Sequence, residues 1–393
     1  MKNSSVRVEK PGAEKFSNAK MMGECLRDSM LQHDDFYLFS PDETTSNKLD
    51  AVFENFDRAW QLPKEAWDDN LASDGRIIEM LSENTLFAVL EGHILSGGKG
   101  AFTSYEAFLP IITSQLAQYM KFLKQSDETS WRPKYEALNI LSTSCWQRQD
   151  HNGYTHQNPG AVSNLLAKPI NKVNCLFPAD DMATRAAWEW SMESENVVNL
   201  ITFNKIEMPR WTDLNQARFQ IANRGAMVYQ FMSDKDPDYI FTAAGDIPTR
   251  ETLQAMAIIR SELPKVKMRF VNISALSYSA IGTTDNKLTQ KDFDEYYTSE
   301  KPIIANFHGY PETLRVILSH YADSSRLKVY GYQDEGSTTT PLDELVRNRC
   351  SRFDIAIDFF IRLGFRDIAK KYIDFLADNK TYAQLHGKDK IEL

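Results

Sequence analysis

The sequence predicts an α/β protein of two domains, each a mostly parallel sheet flanked by helices. Short apolar runs rich in β-branched and aromatic residues recur along the first half: FYLFS (36–40), TLFAVL (85–90), LNILSTS (138–144), NCLF (174–177) and VVNLITF (197–203). Helical periodicity lies between them and is clearest over 103–124. There Tyr105, Phe108, Leu109, Ile112, Leu116, Tyr119, Met120 and Leu123 recur at three- and four-residue spacing, behind Thr103 and Ser104 as cap candidates. After EMPRW (207–211) the pattern restarts. DYIFTAAG (238–245) reads as a strand ending in glycine, and Pro248 sits at the start of a helix running to about Leu263, where proline costs least. MRFVNIS (268–274), PIIANFHG (302–309), LKVYGY (327–332) and FDIAIDFF (353–360) are further strand candidates. Alternation of this kind builds layered folds with parallel sheets. Residues 1–15 read as a polar arm or linker, 16–210 as one domain and 211–393 as a second.

Composition narrows the function classes. A chain of 393 residues, 42% hydrophobic and 25% charged, can form two domains of roughly 150–200 residues. A net charge of −9 argues against a broad nucleic-acid or anionic-membrane surface, while leaving room for a local basic pocket that takes a phosphorylated small molecule. The start of the chain has no apolar stretch of signal-peptide length, and no run of about 18 apolar residues occurs, so a cytoplasmic protein is expected. Cys25, Cys145, Cys175 and Cys350 are widely spaced without a CxxC pair, which reads as free thiols.

The chemistry-bearing candidates follow strands. DHNGYTHQNPG (150–160) is too polar to fill a core and lies between two strand candidates, where ligand-handling groups tend to sit. Its His151 and His156 lack a carboxylate or cysteine at zinc-motif spacing, so proton transfer and hydrogen bonding are expected and no metal ligation. Glu83 precedes TLFAVL, at the rim of a sheet, where a solvated carboxylate is the plain alternative. Ser46 and Asn47 follow FYLFS and open a helix, giving either an anion-binding helix start or simple capping by Asp42, Thr44 or Thr45. Lys205 follows VVNLITF and either reaches a phosphate or faces solvent. FHGYP (307–311) and GYQDEGSTTTP (331–341) read as turns.

Taken in order, SPDETTSNKL, MLSENTL, EGHILSGGKGAFTSYEAF, RQDHNGYTHQNPG, AAGDIPTRETL, NFHGYP and GYQDEGSTTTP resemble the C-terminal half of the phosphoketolases, which belong to the thiamine-diphosphate-dependent, transketolase-like group. The resemblance runs from about residue 15 to about residue 360. It implies phosphorolytic cleavage of xylulose 5-phosphate, and often fructose 6-phosphate, to acetyl phosphate and a shortened aldose phosphate. Carried over by position, Glu83 contacts N1′ of the cofactor aminopyrimidine and promotes the tautomer that deprotonates the thiazolium. Tyr105 and Phe108 flank the pyrimidine. His151, Asn152 and His156 face substrate carbons and incoming phosphate, with the two imidazoles as proton carriers. Ser46, Asn47 and Lys205 contact substrate or phosphate. IEMPRW after Lys205 and the run after Pro159 depart from the family pattern.

Enzymes of this group hold the diphosphate through a divalent metal bound at a GDG segment, and no GDG occurs here. The resemblance therefore implies a pyrimidine-binding domain followed by a C-terminal domain, with the magnesium and diphosphate site on a domain supplied in cis or in trans. Three readings follow: a portion of a phosphoketolase that is inactive alone, one subunit of a split enzyme, or a non-catalytic interaction or regulatory protein retaining the fold. A homodimer is expected from the group.

Overall fold

The computed structural model describes residues 8–41, 44–333 and 336–391. The first seven residues of the arm, the capping candidate Asp42 and positions 334–335 of the loop after LKVYGY lie outside the described residues.

Six parallel strands form the centre of the first sheet: β1 (Phe36–Ser40), β2 (Ile77–Glu79), β3 (Lys99–Tyr105), β4 (Leu138–Thr143), β5 (Val173–Leu176) and β6 (Val198–Thr202). Their spatial order is β5–β6–β4–β3–β1–β2. All six residues of β4 are buried, as expected of a strand covered on both faces. Within this apolar setting Asn174, Asn199 and Asn139 form a ladder across β5, β6 and β4. Asn174 donates to Asn199 at 3.0 Å and Asn199 to Asn139 at 2.9 Å, which pins the register. Gly100 is required where β3 meets β1, since a Cβ there would stand 2.6 Å from the Tyr37 carbonyl oxygen.

The second sheet has four parallel strands, β7 (Tyr239–Ala244), β8 (Met268–Ile273), β9 (Ile303–Phe307) and β10 (Leu327–Tyr330), in the order β8–β7–β9–β10, with Ala226–Val228 antiparallel at the β8 edge. The hairpin Ala275–Ser277/Ala280–Ile281 leaves this half of the chain and completes the first sheet beside β5. Apolar packing is continuous between the sheets, with Phe177 and Phe307 edge to face at 5.6 Å. All four cysteines are free and buried. Among the described residues no helix is long and apolar enough to cross a membrane.

Four local expectations are corrected. Residues 103–124 are not one helix. Thr103–Tyr105 finish β3, paired with β4, Glu106–Ile112 form a 3-10 turn containing Pro110, and the α-helix α3 (Thr113–Asp127), third in chain order after α1 (Asn18–Gln32) and α2 (Glu83–Leu95), begins only there. The central position of β3 in the sheet overrode the helical spacing. TLFAVL is helical within α2 (Glu83–Leu95), burying Leu86, Phe87, Leu90 and Ile94, so the 3.6-residue period won over a short apolar run. FDIAIDFF is likewise helical within Arg352–Arg362, started by Ser351, whose hydroxyl accepts from the Asp354 amide. Ser46 and Asn47 do not open a helix. They lie in a turn with Lys48 at φ 60°, followed by a 3-10 helix at Asp50–Glu54, so no helix-start anion site exists there.

Candidate active site

Parallel strands put all their carboxyl ends on one edge, and the sequence candidates follow those ends. Ser46 and Asn47 come after β1, Glu83 after β2, Tyr105 and Phe108 at the end of β3, the histidine loop after β4 and Lys205 after β6. Ligands in open α/β sheets bind at this edge.

A central group makes direct contact. The Tyr105 hydroxyl donates to Ser46 Oγ at 3.1 Å. Lys205 Nζ donates to the Ser46 carbonyl at 3.2 Å and the Tyr105 hydroxyl at 3.3 Å, and lies 4.7 Å from the centre of the Tyr105 ring. Tyr105 and Phe108 are parallel within 5°, with centroids 6.1 Å apart. The His156 ring meets them edge on, 5.3 Å from Phe108 and 6.1 Å from Tyr105, and its Nδ1 is 2.8 Å from Thr155 Oγ1. Burial, and then the neighbouring charges of His151 and Lys205, hold the His156 pKa below the usual imidazole value. A depressed value favours the neutral ring, able to accept a proton at neutral pH.

Other candidates stand around this group. His151 is exposed on the same loop. Asn152 is exposed and its amide donates to Gln149 Oε1 at 2.6 Å. Asn47 is fully buried, and its amide oxygen accepts from the Thr143 hydroxyl at 2.6 Å and the Ser144 hydroxyl at 3.0 Å. It thereby fixes the end of β4. Glu83, half-buried, is the first residue of α2, where the helix N-terminus favours its charge. Its strand lies two places from β3, about 10 Å at ordinary strand spacing. Gln115 of α3 donates to the Asn84 carbonyl at 3.0 Å and ties this helix start to the segment that follows the aromatic pair.

Comparison with known proteins identifies the family. The profile for D-xylulose 5-phosphate/D-fructose 6-phosphate phosphoketolase matches residues 20–194, and that for its C-terminal domain matches 205–393. The chain belongs to the phosphoketolase family. A probable phosphoketolase 1 of Nostoc sp. is 36% identical over 411 residues, covering 100% of this chain and 51% of the relative. A probable phosphoketolase of Rhodopseudomonas palustris is 36% identical over 402 residues, with the same coverage on both sides. The chain thus spans about half the length of the curated relatives it matches. Among solved structures, a Pichia stipitis transketolase complex superposes with a TM-score of 0.70 at 15% identity, covering 98% of this chain and 48% of that one. A split-gene transketolase, described as an inactive β4 tetramer, gives 0.58 at 14% identity and is covered over 99% of its length, with 92% of this chain.

Sequence reasoning missed the buried layer beneath this phosphoketolase edge. Glu106, between Tyr105 and Phe108, and His308, just after β9, are each 1% exposed and hydrogen-bonded to each other through His308 Nε2. Glu106 also accepts from the Trp146 amide at 2.9 Å, the Trp146 indole donates to the His308 carbonyl at 2.5 Å, and Gln147 Nε2 lies 3.2 Å from His308 Nδ1. Cys145 Sγ lies within 4.8 Å of both ligand-type atoms and donates to the Phe203 carbonyl. Burial, then the Glu106 charge, pushes its thiol pKa well up. With Glu106, Cys145 and His308 already hydrogen-bonded and sealed from solvent, the cluster acts as a clasp between the two halves of the chain. Further out, Gln157 donates to Glu344 at 3.1 Å and to the Ser337 carbonyl at 2.8 Å, and the Thr339 amide donates to the Asp150 carbonyl at 3.1 Å, holding the histidine loop from the second half. A buried charged residue inside an aromatic segment, SYEAF, was the one available signal, and the helical spacing around it concealed it.

Proposed function

We propose that this chain is the aminopyrimidine-side half of a thiamine-diphosphate-dependent phosphoketolase, cleaving xylulose 5-phosphate, and fructose 6-phosphate where it is accepted, with inorganic phosphate to acetyl phosphate and an aldose phosphate. The observation that carries this reading is the convergence of Ser46, Tyr105, Phe108, His156 and Lys205 on one strand edge of a chain whose phosphoketolase profiles cover nearly its whole length.

The residues fit one end of the cofactor. Half-exposed parallel aromatic rings suit a flat heterocycle, and Glu83, a carboxyl at a helix start on the same edge, suits a ring nitrogen that carries a proton. Glu106, Cys145 and His308, a metal-type cluster among the described residues, are buried and hydrogen-bonded to one another or to neighbouring groups, and we take the magnesium and diphosphate to be held by a domain supplied in cis or in trans. Bound thiamine diphosphate would supply the carbon nucleophile that attacks the ketose carbonyl. Tyr105 and Phe108 would hold the pyrimidine and exclude water from its faces. Glu83 would hold the proton at N1′. His156, kept neutral, would take a proton from the substrate hydroxyl, with exposed His151 and Asn152 beside it on the loop. Lys205 and Ser46 would meet an anionic group of substrate or phosphate, and Asn47 would act by fixing the strand end behind them.

The diphosphate-binding half would come either from the same polypeptide or from a second one, and we take the chain to be inactive without it. The near-complete overlap with a chain of the split-gene transketolase favours a separate subunit as the second reading. A homodimer in the cytoplasm is part of the same proposal. The test is co-expression of this chain with the amino-terminal half of the Nostoc relative, or fusion to it, followed by an acetyl phosphate assay with xylulose 5-phosphate and phosphate. Acetyl phosphate formation only when both halves are present supports the proposal. A folded complex or fusion that forms none points instead to a non-catalytic protein retaining the fold.

A further inference from the structure

Asp246 is the first residue of the helix Asp246–Glu262 and is 1% exposed. Its carboxylate accepts from the Asn204 amide at 2.8 Å, the Asn204 side chain at 2.8 Å, the Asn18 side chain at 3.0 Å and the Ile247 amide at 2.7 Å. The helix start adds a favourable field for its charge. Both asparagines turn their NH2 groups to this carboxylate while their own carbonyl oxygens stay buried without a partner among the described residues. Unpaired buried acceptors are costly, so the arrangement is set by the carboxylate. Asn204 directly precedes Lys205, and the Lys205 carbonyl on the other side accepts from the Ser17 hydroxyl at 3.3 Å. The backbone of Lys205 is therefore held on both sides, and its side chain extends to Ser46 and Tyr105.

We infer that Asp246, contributed by the second half of the chain, is a positioning residue that sets the reach of the Lys205 ammonium at the first sheet's edge. The inference deepens the proposed function, because it rests on Lys205 as the cation of that site. Asp246 touches no candidate ligand position and acts through Asn204. Lys205→Ala and Asp246→Asn should therefore share a phenotype, although one residue is at the site and the other is sealed beneath it.

His156 reports the position of Lys205 without any assay of activity. The groups facing its ring are Tyr105, Phe108, Thr155, His151 and Lys205. With ring-labelled histidine, of which the chain has seven, an NMR titration resolves the pKa of His156 in the isolated chain. In Asp246→Asn the ammonium loses its fixed place, and the His156 pKa is expected to rise by roughly 0.3 pH unit or more. Asn204→Ala, which keeps the carboxylate and removes one link, should move it in the same direction. Asn18→Ala removes a different partner of Asp246, leaves both the Asn204 bonds and the Ser17 bond to the Lys205 carbonyl in place, and should leave the titration unmoved. A folded Asp246→Asn chain with an unmoved His156, or an equal shift in Asn18→Ala, overturns the inference; if Asp246→Asn does not fold, an unmoved His156 in Asn204→Ala overturns it. In the two-half enzyme, Asp246→Asn should raise the KM for phosphate or sugar phosphate about tenfold, with a smaller change in kcat. A two-half enzyme without activity would count against the proposed function while leaving the NMR test standing.

Discussion

The two sheets share an architecture and use it differently. Both are mostly parallel, and both carry polar residues just beyond their strands' carboxyl ends. On the first sheet those residues, Tyr105, His156 and Lys205 among them, are partly open to solvent. On the second, Asp246 after β7 and His308 after β9 are buried and bonded to the first half of the chain, and the Tyr332 hydroxyl after β10 donates to the Gln157 carbonyl at 3.2 Å. The crevice that would take a ligand in an isolated sheet is filled by the neighbouring half. One edge stays open to solvent while the other is taken up in holding the two halves together.

Changes at the first edge should therefore cost activity and little stability, and changes at the second should cost stability. The largest effect expected is from Glu83→Gln in the two-half enzyme, a loss of about 100-fold or more in kcat with an unchanged melting temperature. Near-normal turnover would mean that another carboxylate serves the cofactor. Lys205→Ala should follow with an increase of about tenfold or more in KM and no loss of fold, read from steady-state kinetics beside circular dichroism. Across the divide, His308→Ala leaves the Glu106 carboxylate buried without its imidazole and should cost about 3 kcal/mol of stability in a denaturant titration. A cost below ~1 kcal/mol would mean that the clasp does not join the halves.

The smallest effect concerns pH. Burial pushes the Asp354 pKa up to about 7. A folded-state value above the unfolded one means that protonation favours the fold. This contribution is fully present below about pH 4 and is lost as pH rises through about 7. Asp354→Asn should thus gain stability over the parent, by about 1 kcal/mol, between pH 6 and 8 in thermal melts. A difference independent of pH would remove Asp354 from the account.

The sequence made the core strands legible because parallel strands buried on both faces are nearly continuous apolar runs, as at 138–143 and 198–202. It also brought the polar loop and Lys205 to the correct strand ends. It misled where one short segment carried two periods. The apolar spacing from Tyr105 to Leu123 fits a helix, yet Tyr105 and the cap candidates Thr103 and Ser104 before it pair in the sheet's middle. The Glu106–His308 and Asn204–Asp246 bonds join positions 202 and 42 residues apart, and no local pattern signals them. Such contacts exist only once the two halves close on each other.

The most direct measurement is calorimetric titration of thiamine diphosphate with magnesium, into the chain alone and into the two-half enzyme. The account predicts binding in the two-half enzyme and none, or only weak binding, in the chain alone, since the pyrimidine wall is here and the charged tail's site is not. Micromolar binding by the isolated chain would contradict it.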